Sequence, residues 1–159
     1  MRFWLPLALL ACGPQQPEPD ISYAITVTGV STDCTTDPTG YATDVFYDLY
    51  FDGHVVAVFS KSEEKNQGVQ LASGSVTGCT ILYETPVWLE DRGTSADGES
   101  LYVRWTLEGK AKYQGAAGGC VENGLDWEGT ETITVTESTD PDVPTGCTYE
   151  MSTSGPLLE

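Results

Sequence analysis

From Ile21 onward the chain alternates apolar and polar residues with a period of two, and no segment sustains a 3.6-residue repeat. Residues 101–113 are the clearest case. Leu101, Val103, Trp105, Leu107, Gly109, Ala111 and Tyr113 share one phase, and Tyr102, Arg104, Thr106, Glu108, Lys110 and Lys112 share the other. A half-buried antiparallel strand needs one apolar or small face and one polar face, and the glycine marks a bend or a close approach. The same alternation places Ile21, Tyr23, Ile25 and Val27 in a first strand and Val45, Tyr47, Leu49 and Phe51 in a second. Asp52-Gly53 then reads as a two-residue hairpin turn, because its glycine accepts positive φ, and residues 54–60 return as the partner strand. Residues 69–77 and 79–90 predict two more strands or one long bent strand, with Pro86 marking an edge or a bulge. Residues 91–99 read as a polar loop. Residues 130–137 form a strand with Ile133 and Val135 inward, and residues 147–154 a last, weaker one.

About eight strands with polar turns and no helix predict an all-β fold: a single antiparallel domain over residues 21–159. An up-and-down barrel is preferred to a two-sheet sandwich, because closing the last strand onto the first removes exposed edges. A length of 159 residues suits one domain. Such a barrel is similar to the lipocalins in architecture only. Their Gly-x-Trp signature near the first strand is missing, since Thr28-Gly29-Val30 has no tryptophan beside it, so no ligand is implied.

Upstream of the strands the pattern changes. Met1-Arg2 supplies a positive charge, an apolar run follows, and it ends in Leu9-Leu10-Ala11-Cys12. The order resembles a secretory signal, and the last four residues resemble the lipobox of bacterial lipoproteins. The resemblance covers residues 1–12. It implies removal of residues 1–11, attachment of a diacylglycerol to the Cys12 thiol, and anchoring to a membrane of the bacterial envelope. Gly13, where an aspartate would favour inner-membrane retention, points to the outer membrane rather than the inner. Residues 13–20 carry three prolines and read, with Cys12, as an extended tether of about 25 Å, at about 3.1 Å per residue.

Five cysteines are an odd number until Cys12 is assigned to the lipid; Cys34, Cys79, Cys120 and Cys147 then form an even set in an exported chain. Successive connections of an up-and-down barrel alternate between its two ends. Cys34 and Cys147 fall at one end and Cys79 and Cys120 at the other, so the expected disulfides are Cys34–Cys147 and Cys79–Cys120.

Charge excludes more than it identifies. Against 24 acidic side chains stand 7 basic ones, a net charge of −17, which disfavours nucleic acid and direct contact with anionic lipid. Hydrophobic residues at 40% nonetheless supply a core. Catalytic signatures are absent: His54 is a lone turn histidine, and Gly74-Ser75-Val76-Thr77-Gly78 has valine where a nucleophile elbow needs serine. No catalytic residue, metal ligand or cofactor site is assigned. Asp33, Asp37 and Asp44, and Asp140 with Asp142, offer hard loop oxygens that suit calcium but match no EF-hand loop. Trp127 reads as a cap on the barrel and Trp105 as core. Leu82, Pro86 and Trp88 fall on the outward phase, so either Pro86 shifts the register or an apolar patch is exposed. These features read as a binding or structural module, with a carboxylate-based glycan hydrolase and a calcium-dependent adhesion module as alternatives; the sequence leaves ligand, protein partner and oligomeric state open.

Replacement Cys12→Ser is expected to move the protein from the membrane fraction to the soluble one; unchanged fractionation would rule out the anchor.

Overall fold

The computed structural model describes residues 17–64, 67–114, 120 and 126–158. The lipobox and Cys12 lie outside the described residues. Nine strands occur among them, in chain order β1 Ile21–Thr32, β2 Ala42–Asp52, β3 Val55–Lys61, β4 Val69–Thr77, β5 Thr80–Glu84, β6 Trp88–Thr94, β7 Ser100–Lys112, β8 Trp127–Ser138 and β9 Thr148–Gly155. All pairings are antiparallel, β1 with both β2 and β9, and β5 with β7 closes the ring. Eight strands therefore make a closed barrel, and β6 is an extra strand outside it.

The extra strand comes from the chain break at Pro86. Residues 79–90, expected as one strand, divide into β5 and β6, and residues 91–94, expected in a loop, belong to β6. Proline has no N–H to give a ladder. Beside it, the Thr85 N–H donates to the Leu107 carbonyl and the Leu107 N–H donates to the Thr85 hydroxyl, both at 2.9 Å, so the last pairing with β7 before the proline uses a side-chain oxygen as acceptor. The phase then flips. Ile81, Tyr83 and Thr85 are buried, whereas beyond Pro86 it is Trp88 that stacks on Trp105, with ring centroids 6.2 Å apart. Pro86 thus shifts the register, and Leu82, Val87 and Leu89 are left exposed on the outer face. Because β5 covers residues 108–112 of β7 and β6 covers 100–105, one long strand serves both the barrel and its extension.

The hairpin at Asp52-Gly53 forms as expected, with Gly53 at φ 62°. Thr77 pairs with Thr80 across Gly78-Cys79, which puts Cys79 in a tight turn at one end of the barrel. There the bridge Cys79–Cys120 forms, and Tyr23, Tyr113 and Trp127 are fully buried behind it. The opposite end carries Cys34–Cys147, which ties the chain leaving β1 to the residue before β9. These are the pairs that strand parity expects. On the outer wall Asp48 is also buried, where it pairs with Lys61 at 2.6 Å and accepts from the Ser22 hydroxyl at 2.6 Å.

The bridges close loops of different length, with separations of 113 and 41 residues. Replacing Cys34 and Cys147 by alanine is expected to cost about 5 kcal/mol and replacing Cys79 and Cys120 about 4 kcal/mol, on loop-closure entropy. Urea unfolding of the two double variants checks the order; the reverse order would mean that native contacts around the bridges, not chain entropy, govern their effect.

Candidate functional site

Period two puts Trp127, Gly129, Glu131, Ile133 and Val135 of β8 on the inner face, so one carboxyl group enters the barrel with the apolar residues. Glu131 is only 3% exposed. Tyr47 of β2 and Tyr83 of β5 reach it from across the barrel, and their hydroxyls donate to the same oxygen, Oε1, at 2.9 and 2.6 Å. Gly109 of β7 makes this possible. A β-carbon there would fall inside the Tyr83 ring, so only glycine lets the ring lie flat against β7 and extend to Glu131. The bend or close approach expected at Gly109 is thus a close approach. Beneath the three polar groups Trp127 packs against Tyr23, Tyr47 and Tyr83 at centroid distances of 5.5, 5.5 and 5.9 Å, and its Nε1–H donates to the Thr153 hydroxyl at 2.9 Å. Trp127 is a buried plug at the closed end, as a cap should be.

Above this floor the barrel is not filled. A cavity of about 460 Å³ lies toward the Cys34–Cys147 end, walled by Val27, Val45, Leu71, Leu107, Ile133 and Met151, with Pro38 and Tyr41 at its rim. Trp105, expected as core, is only half-buried and lines it, together with Tyr149. The two side chains, with Ile133, also line a second hollow of about 300 Å³ under β6, whose outer edge carries Arg92, Glu90 and Thr36. Arg92 there pairs with Glu90 at 2.9 Å and Asp140 at 3.2 Å, which raises its pKa further, mainly through the hydrogen bond to Glu90.

Burial is the largest influence on Glu131 and raises its pKa; the two tyrosine hydrogen bonds oppose this without cancelling it. The same burial, with the neighbouring carboxyl group, holds the phenols of Tyr47 and Tyr83 well above their ordinary range. Among the described residues no lysine, arginine or histidine lines the cavity, so the carboxyl group has no counter-charge there.

The loop aspartates do other work. Asp33 accepts from the backbone and hydroxyl of Thr148, Asp37 from Thr39, Asp44 from the Thr26 hydroxyl, and Asp140 from the Asp142 N–H and Arg92. They cap turns and join strands at separate places, and no three metal-ligating side chains converge among the described residues. His54 sits at the hairpin, with Nδ1 3.3 Å from the Val76 carbonyl. The residue that sequence reasoning passed over is Glu131. Its signal is the odd-numbered phase that it shares with Ile133 and Val135, which one acid among 24 does not make conspicuous.

Comparisons of the chain with protein-family models, with curated proteins and with solved structures find no match.

A carboxyl group whose pKa is raised on folding binds its proton more tightly in the native state. Its destabilisation is therefore absent below the unfolded-state value, develops as pH rises toward the raised native value, and is complete above it. Glu131→Gln keeps an acceptor for both tyrosines, so it is expected to stabilise the protein at about pH 8 and to make little difference at about pH 4. Thermal unfolding of both proteins across this range checks it; a gain that grows on acidification would contradict the assignment.

Proposed function

We propose that the protein is a lipid-anchored binding module of the bacterial envelope, at the outer membrane, whose barrel holds a small and largely apolar molecule. The observation that carries the reading is the open cavity above Glu131. At about 460 Å³ it falls within the range of about 300–1,000 Å³ usual for small-molecule sites, and it has their composition, apolar walls with few polar groups. A solidly packed barrel would support a structural role instead. A hydrolase acting through paired carboxylates needs a second acid near the first; among the described residues that line the cavity, Glu131 is the only one.

The placement of the termini suits a tethered receptor. β1 begins at the closed end, where the Asp20 N–H donates to the Leu49 carbonyl and the Asp20 carboxylate accepts from the Phe51 N–H. The Tyr50 hydroxyl donates to the Pro17 carbonyl nearby. An anchor at Cys12 therefore joins the barrel opposite its mouth, leaving the cavity free to face away from the membrane. The Cys12 anchor rests on the lipobox resemblance, and the outer-membrane address on Gly13.

An uncharged naphthalene dye that fluoresces in apolar surroundings is expected to bind one per chain. Leu107→Trp, which fills the cavity from β7, should abolish the signal while leaving the fold intact by circular dichroism. Undiminished dye fluorescence in that variant would place the binding elsewhere and overturn the reading.

A further inference from the structure

The floor of the cavity has an asymmetry that points to the chemistry of its occupant. Both tyrosine hydroxyls donate to Glu131 Oε1, and Oε2 has no hydrogen-bond partner among the described residues. Trp88 Nε1 is the one fully sealed side-chain polar atom without a partner among those residues, so Oε2, which lacks one too, is reached from the cavity that Glu131 lines. A carboxyl group held by two donors on one oxygen and open on the other is aimed, because its orientation is set before anything binds.

What completes it follows from charge. An acid buried without a cation is unfavourable, and removal of water from its remaining oxygen is tolerated best when a cationic donor takes that place. No basic side chain lines the cavity among the described residues, so the cation has to arrive with the ligand. The walls suit one. Tyr47, Trp105 and Tyr149 present aromatic rings to the same space, and ring faces attract ammonium groups, more strongly when water is excluded. The rest of the wall is aliphatic and fits a hydrocarbon body. A net charge of −17 also draws cations toward the protein and keeps anionic amphiphiles away.

We infer that the ligand is a hydrophobic amine, with its ammonium group bound to Glu131 Oε2 and its apolar part filling the cavity between Trp105, Leu107, Ile133 and Met151. This rests on the cavity being a binding site, and it commits the site to a cationic head group instead of a neutral or acidic one.

The probes are decylamine, decanol and decanoate, three compounds with the same chain and different heads, measured by calorimetry on the full chain carrying Cys12→Ser so that no detergent competes. Decylamine is expected to bind about tenfold or more tightly than decanol, the difference between a charge-assisted and a neutral hydrogen bond, and decanoate more weakly than either. In Glu131→Gln the advantage of the amine over the alcohol should vanish while decanol binding persists. Equal binding of amine and alcohol to the unsubstituted cavity would overturn the amine assignment and leave the cavity as a general apolar site. Preference for decanoate would overturn it as well, since it would mean that Glu131 donates a proton to the ligand instead of pairing with a cation. If none of the three binds, the binding reading falls with it. Should Glu131→Gln fail to fold, the comparison of the three head groups on the otherwise unsubstituted chain still decides.

Discussion

The ladder between β5 and β7 is the contact on which the rest of the molecule depends. An eight-stranded sheet left open would expose two rows of unpaired N–H and C=O groups, and its inner face would have no opposite wall. Five residue pairs, from Thr80 with Lys112 to Glu84 with Glu108, remove both problems. They also bring Tyr83 over Gly109, and so place its hydroxyl on a carboxyl group that belongs to the next strand, β8. The closing contact and the polar floor are therefore one arrangement. β5 is short because Pro86 ends it, and that interruption releases the chain to run as β6 along the free half of β7.

The two ends of the barrel differ for physical reasons. At one end large rings fill the inside, with Tyr23, Tyr113 and Trp127 fully buried. At the other the inward side chains are mostly smaller and aliphatic, Val27, Val45, Leu71, Ile133 and Met151, and the cavity lies between them. Interiors pack densely wherever facing residues can interdigitate, so an unfilled volume lined by Val, Leu, Ile and Met is a property of the shape of the barrel and not of loose packing. Glu131 lies at the boundary between the packed end and the hollow one. There a carboxyl group is buried enough for its pKa to rise, yet keeps one oxygen open.

Such a floor conflicts with stability. Gln at position 131 would satisfy both tyrosines without the cost of a buried charge, and an apolar residue would remove the need for them. The conflict resolves if the group serves a ligand, since sites that bind are where local rules for a stable core are broken. Asp48 on the outer wall shows the contrast: it too is buried, but Lys61 and Ser22 answer it within the protein.

Much of this architecture was legible along the chain. Alternation determined most of the strands, the inward positions from Tyr23 to Val135 and the class of fold, though not the division of residues 79–94 into β5 and β6, because a half-buried strand imposes a period of two on its own residues whatever it packs against. Strand order determined which cysteines meet, since alternating ends leave Cys34 only Cys147 as a neighbour. Local pattern says nothing, however, about how far apart two walls stand. Whether Trp105 and Leu107 touch the opposite side, or leave about 460 Å³ between, depends on the tilt and closure of all eight strands. Nor does spacing reveal that Tyr47, Tyr83 and Glu131, separated by 36 and 48 residues in a chain with 24 acids, converge on one oxygen. Only the tertiary structure decided that, because the convergence is made by pairing between strands distant in sequence and by the missing side chain of Gly109.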